Sequence, residues 1–224
     1  MGLVYSGIPT PLAEALVDGL GLEVAVETGT NLGDSTAVLG EMVDRVWTVE
    51  LSPKYAAWAR DRHAAAPGIT VLEGDSATVL AGLAPRIHRP TLYWLDAHWC
   101  AGDSAGYEAQ CPLLGEIEAL ETSPSAAESA ILIDDASFFL ACPYPDYRRS
   151  DWPTFVEVAD RLRARHPRYV TTLLDVIIAT PPAGRGLVER FWQARRDAEM
   201  DASRERARRA EQALRARSSA RDHP

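Results

Sequence analysis

The sequence predicts a doubly wound α/β fold, a mostly parallel sheet of seven strands with helices on both faces, followed by a helical C-terminal extension. Short apolar and β-branched runs alternate with helical patterns through most of the 224 residues, the signature of a parallel sheet covered on both sides. The strand-like runs end in Gly, Asp, Glu and Asn, and ligands in open parallel sheets bind beyond the carboxyl ends of the strands. Beyond Gly186 the composition turns Ala- and Arg-rich.

The strand runs are Val24 to Glu27, Arg45 to Glu50, Thr70 to Glu73, Thr91 to Leu95 and Ala130 to Ile133. Between them, helical spacing covers Ser35 to Val43, Pro53 to His63, Ala77 to Leu83 and Pro112 to Glu121, with another helix expected at Pro153 to Arg165. Pro53 and Pro153 suit a first helical turn, where the missing N–H costs nothing. Tyr169 to Thr180 is nearly continuous β-type sequence, read as a closing pair of strands turning at Leu174 and Asp175, and Pro181 and Pro182 end it. Leu187, Val188, Phe191 and Trp192 give the last helix an apolar start, but the later apolar positions are mostly Ala and keep no heptad. A helix docked at its beginning is expected there, and a homodimer contact through it is the alternative.

Composition narrows the function. The net charge of −9 divides into +4 on residues 183–224 and −13 on the rest, and an acidic body repels polyanions, so no nucleic acid partner is expected. No apolar run approaches the roughly 20 residues that cross a bilayer, and the N-terminus lacks a basic segment followed by an apolar one. A cytoplasmic protein without a membrane partner is expected. Three cysteines, Cys100, Cys111 and Cys142, cannot form a disulfide framework and suit a reducing compartment. With His98 they include a Cys and His set for zinc, but no C-x-x-C pair is present, and small buried thiols are the expectation.

The strand ends carry the chemistry. The first runs into Glu27-Thr28-Gly29-Thr30-Asn31-Leu32-Gly33-Asp34-Ser35, a Gly-bearing loop opening a helix, where a backbone can approach a ligand closely. The second ends in Glu50, 23 residues after Glu27, about where nucleotide-binding units place an acid for ribose hydroxyls. The third ends in Gly74-Asp75-Ser76, where Asp75 either meets an adenine or caps the next helix. The fourth and fifth ends, Asp96-Ala97-His98-Trp99 and Asp134-Asp135-Ala136, bring three carboxylates and an imidazole to one edge. Acids crowded this way call for a neutralising cation, and oxygen ligation suits Mg²⁺, with Mn²⁺ or Ca²⁺ as alternatives. Two loops can line a substrate pocket. Trp99 to Gln110 is polar, with Gly102 and Gly106, and Ser137 to Trp152 offers Phe138, Phe139, Tyr144, Tyr147 and Trp152 beside Arg148 and Arg149.

These motifs resemble the class I methyltransferases that use S-adenosylmethionine (SAM), Rossmann-like enzymes, over about residues 20–180. Their E-x-G-x-G-x-G loop is matched by Glu27, Gly29 and Gly33, with Asn31 at the middle glycine. The resemblance implies that Glu27, Thr28, Gly29, Thr30, Gly33 and Ser35 surround the methionine part of SAM. It also implies that Glu50 holds the ribose, that Asp75 and Ser76 edge the adenine, and that Asp96 borders the cofactor. A G-x-G-x-x-G dehydrogenase loop is absent. The second half is similar to the metal-dependent, macrocin-type O-methyltransferases that tailor sugars of natural products. That similarity implies Asp96, Asp134 and Asp135 as metal ligands, with His98 beside Asp96 as catalytic base. The expectation is a methyltransferase domain over residues 1–182 and an Arg-rich helical extension over 183–224, acting on a hydroxyl of a small molecule such as a sugar or phenol. Transfer to nitrogen or carbon without a metal, and a silent SAM-binding scaffold, stay open as alternatives.

Overall fold

Strand β1 (Val24–Thr28) is buried at every position, as a strand covered on both faces must be. It pairs in parallel with β2 (Arg45–Glu50) on one side and β4 (Thr91–Leu95) on the other. The computed structural model describes residues 7–99, 105–141 and 146–221, with the backbone alone at residue 211 and residues 213–221. With β3 (Ile69–Glu73), β5 (Ala130–Ile133), β6 (Tyr169–Leu173) and β7 (Val176–Thr180) the described sheet has seven strands in the order β3-β2-β1-β4-β5-β7-β6. Only β7 runs antiparallel to both its neighbours. The expected turn between β6 and β7 lies at Leu174 and Asp175, both with positive φ (57° and 65°), the two-residue hairpin geometry that matches strand twist.

Helices α2 (Asp34–Met42), α3 (Pro53–Arg62), α4 (Ser76–Leu83) and α5 (Leu113–Leu120) stand within one residue of their expected ends. Helix α7 (Phe155–Arg163) starts two residues late. Thr154 forms a capping box with Glu157, so Pro153 precedes the cap instead of occupying the first turn. Two helices were not expected. α1 (Thr10–Leu20) buries Leu12, Ala13, Leu16 and Val17 at helical spacing and stops at Gly21 in the left-handed region. α6 (Ala136–Leu140) is a single turn after β5. The core gathers Tyr93, Leu95, Ile131, Ile133, Ile117 and Leu120 between the sheet and its helices.

By its contacts the chain divides into Met1–Leu187 and Val188–Pro224. The second unit is the continuation of α8 (Arg185–Arg221). Its described side chains present opposite-charge pairs one turn apart, Arg195–Glu199 at 3.2 Å and Glu205–Arg209 at 2.9 Å, of the kind that adds a few tenths of a kcal/mol each. Among the described residues no helix is long and apolar enough to cross a membrane.

Candidate active site

Parallel pairing sets the site. Thr28 lies opposite Leu95, and Leu95 opposite Ile133, so β1, β4 and β5 end level with one another. The ladder continues one residue past them, with Asp96 N–H donating to Thr28 O at 3.0 Å and Asp134 N–H to Leu95 O at 3.1 Å. On the other side Gly29 N–H donates to Val49 O and Gly74 N–H to Glu50 O, both at 2.9 Å. The polar residues after these strands therefore converge for a backbone reason.

Gly29 (φ 83°) passes so close to the next strand end that a Cβ there would stand 2.1 Å from Asp96 O. No other residue fits. Asn31, the departure from the glycine pattern, also has positive φ (47°), and Asn is among the residues that enter the left-handed region most readily after glycine. Glu50 fixes this loop from below, one oxygen accepting from Asn31 N–H and the other from Ser52 N–H, each at 2.8 Å.

A cavity of about 620 Å³ opens over these ends. Of the expected site residues, Gly29, Glu50, Asp75, Ser76, Asp96 and His98 line it. Asp75 does both things expected of it, lining the cavity and capping α4 by accepting from Thr78 N–H at 2.9 Å. The other expected cofactor residues stand behind this wall. Thr28 and Thr30 are buried, Gly33 precedes α2 with His63 against it, and Ser35 lies in the first turn of α2. Glu27 is 1% exposed and turns away into the fold, where the Thr36 and Thr48 hydroxyls donate to one of its oxygens. Burial pushes its carboxyl up to about 7 against those two hydrogen bonds.

His98 is the centre of the acidic edge. Its Nε2 lies 2.8 Å from Asp135 Oδ2 and its Nδ1 3.7 Å from Asp96 Oδ1, with the ring side chain only 5% exposed. Asp135 reaches it because its own backbone is left-handed (φ 53°), a conformation Asp tolerates, while its N–H donates to Asp134 Oδ1 at 2.9 Å. The edges of Phe138 and Trp152 close around the imidazole at 5.8 and 5.4 Å between centroids. Burial alone would lower the His98 pKa. The hydrogen bond to Asp135 and the charges of Asp96, Asp135 and Asp134 outweigh it, so His98 titrates above its ordinary value. Burial raises Asp96 to about 8 and Asp134 to about 7, with neighbouring carboxylates adding to both.

Among the described residues no three His, Cys, Asp or Glu side chains converge closely enough to hold a metal ion. The oxygen donors of Asp96, Asp134 and Asp135 are chemically suited to a hard divalent cation. As placed they do not fit one. His98 stands between them, hydrogen-bonded to Asp135 at 2.8 Å and 3.7 Å from Asp96.

Two contributors, Gln110 and Glu116, carry no signal in the sequence, and a third, Trp152, takes a different place from the one expected. Gln110, fully buried, ties the two bordering loops together: its amide oxygen accepts from Arg148 N–H at 2.7 Å and Trp152 Nε1–H at 3.2 Å, and its amide nitrogen donates to Asp146 O at 3.2 Å. Trp152, expected in a substrate pocket, is instead 6% exposed and packs His98. Glu116 on α5 is a buried carboxyl, pushed up by burial and moderated by the hydroxyls of Ser76 and Thr28 beneath the cavity. Phe138, Phe139 and Tyr147 pack with Trp152 in one aromatic cluster. Cys111 is a free thiol that burial pushes up to about 12, far from the reactive range. Cys100, Gly102, Cys142 and Tyr144 lie outside the described residues.

No family model matches the chain, and no curated protein matches it. Solved structures do. The O-methyltransferase TomG of Streptomyces achromogenes, involved in tomaymycin synthesis and solved with SAM, superposes with a TM-score of 0.55 at 17% identity, covering 79% of this chain and 80% of that one. An O-methyltransferase from Bacillus cereus with S-adenosylhomocysteine (SAH) gives 0.52 at 20% identity over 77% and 80%. The SAH-bound methyltransferase PaMTH1 of Podospora anserina gives 0.51 at 16% identity over 76% of each. At these identities the likeness establishes the fold, that of the Rossmann-like methyltransferases.

Proposed function

We propose that the chain is a SAM-dependent O-methyltransferase acting on a hydroxyl of a small molecule such as a sugar, a glycosylated natural product or a phenol. One observation carries this: the Gly29 loop and Glu50, suited to a nucleoside, and the Asp96–His98 pair, suited to a proton, line the same cavity. The solved structures of this fold that hold SAM or SAH support the choice of cofactor. In this reading Glu50 binds the ribose hydroxyls, and Asp75 with Ser76 borders the adenine.

The residues then divide the chemistry. Asp135 accepts from His98 Nε2–H, which leaves the Nδ1 lone pair turned toward Asp96 and the cavity. The acceptor hydroxyl would give its proton to Nδ1, and SAM held by Glu50 and the Gly29 loop would supply the electrophilic methyl for the oxygen so freed. The aromatic enclosure of His98 keeps water from competing. Positioning supplies much of the rate, and the base about 10²-fold to 10⁴-fold.

A second reading, in which a Mg²⁺ or Mn²⁺ ion is required, is favoured by the partial burial of Asp96 and Asp134 among more carboxylates than imidazole, and it requires these side chains to draw closer together than they stand. Incubation with methyl-labelled SAM and a panel of sugars and phenols, with SAH read by mass spectrometry, tests the function. Label on an acceptor oxygen, lost in His98→Ala, is expected; label on nitrogen or carbon only, or SAM bound without turnover on any acceptor, overturns it.

A further inference from the structure

Resting on the methyltransferase reading, we propose that the acceptor is a hydroxyl compound carrying an ammonium group and that acceptors bearing a carboxylate, a phosphate or a coenzyme A ester are disfavoured. The described wall of the cavity holds four carboxylates, Glu50, Asp75, Asp96 and Glu108, and neither lysine nor arginine. Two cations meet rings that line the cavity, and both are engaged. Arg148 lies over the Tyr107 ring at 5.1 Å and pairs with Asp151 at 2.9 Å. Lys54, the single lysine of the sequence, lies over the Tyr55 ring at 4.8 Å and borders a separate cleft with Trp58 and Asp61.

The four acids are not equivalent. Glu50 gives its oxygens to the backbone of Asn31 and Ser52, Asp75 caps α4, and Asp96 faces His98. Glu108 is exposed in the segment 105–109 that lines the cavity, beside the exposed ring of Tyr107, and among the described residues it has no hydrogen-bond or ion-pair partner. An ammonium group on the acceptor would find there a carboxylate and an aromatic rim. An anionic acceptor would enter against like charge, and His98, the titratable base on this wall, is already hydrogen-bonded to Asp135. A coenzyme A ester, which carries phosphates, would find neither lysine nor arginine on this described wall.

Two matched sets of acceptors test this: glucosamine, glucose and glucuronate, and dopamine, its alcohol hydroxytyrosol and its carboxylate homoprotocatechuate. The catechol set varies the charge at the end of one side chain, and the sugar set carries its ammonium at C2 and its carboxylate at C6. Turnover is followed as SAH formation, and binding to the SAH-loaded protein by calorimetry, so that a set without turnover is still ranked. The expected order in both is ammonium, then neutral, then carboxylate, with about tenfold or more between the first and last. Glu108→Lys should reverse the ends of that order. A carboxylate member that binds or reacts as well as its ammonium counterpart overturns the inference, as does an order that Glu108→Lys leaves unchanged. SAM affinity measured on the same protein separates the two failures: absent SAM binding removes the methyltransferase reading, whereas SAM binding with a carboxylate preference removes only the charge selection.

Discussion

Replacing Glu27 by Gln should stabilise the protein, and only above a definite pH. Glu27 is 1% exposed and its carboxyl titrates at about 7 instead of 4.5, with burial as the leading cause. A folded-state pKa raised above the unfolded value means that the neutral acid is the form the fold prefers. Its stability is fully present below pH 4.5 and is lost as pH rises through 7. A shift of about 2.5 units corresponds to about 3 kcal/mol, which the parent loses in that window. The amide of Gln cannot ionise, copies the shape of the neutral acid and keeps an oxygen for the Thr36 and Thr48 hydroxyls. Thermal unfolding of both proteins should therefore nearly coincide in mild acid and separate by about 6 to 12 °C in favour of the variant at alkaline pH. The difference between the two curves isolates Glu27 from Asp96 and Asp134, which titrate in the same range. A constant offset at all pH values, or a variant less stable than the parent at alkaline pH, would refute the reasoning.

Other perturbations address the site. Gln110→Ala removes the side chain that joins the two bordering loops and leaves Trp152 Nε1–H and Arg148 N–H without their acceptor, so a loss of about 1 to 3 kcal/mol is expected in chemical denaturation. Because Trp152 packs His98, the same variant should lose turnover before it unfolds, and full activity would detach the loops from the site. Activity of the parent should rise with pH as the His98 and Asp96 pair, both raised, gives up its protons, and the limb should carry macroscopic pKa values of the pair. Asp135→Asn removes the strongest upward influence on His98 and should move that limb to lower pH; an unmoved limb in the pH–rate profile would take His98 out of the proton path. Exhaustive chelation should leave turnover intact if His98 is the base without a metal. Loss of turnover, restored by Mg²⁺ or Mn²⁺, would instead establish the second reading.

The sheet was legible because apolar, β-branched runs bounded by Gly, Pro and Asp leave little choice. β2, β4 and β5 have the expected bounds, and Leu174 with Asp175 turns the closing hairpin. α1 carries a helical signal at Leu12, Leu16 and Val17 but stands before the first strand, outside the strand–helix alternation that marks the others. In the site, the residues at the strand ends that line the cavity followed from the topology alone. Which of two neighbours faces the ligand did not, because it is decided by the pleat. Glu27 and Thr28 sit on a strand buried on both faces, and neither lines the cavity. The bond from His98 to Asp135 depends on one left-handed residue after β5, and Gln110 is a polar residue in a polar loop whose partners lie about 40 positions away. No local pattern encodes either.

The central claim is that the cavity over β1, β2 and β3 is built for SAM, with Glu50 as its ribose acid. Calorimetric titration of SAM into the full chain and into Glu50→Ala tests it most directly. The parent should bind one SAM per chain, and the variant, still folded by circular dichroism, should bind more weakly by about 1.5 to 3 kcal/mol, the worth of a charge-assisted hydrogen bond pair. No binding by the parent, or equal binding by a folded Glu50→Ala protein, would contradict the account.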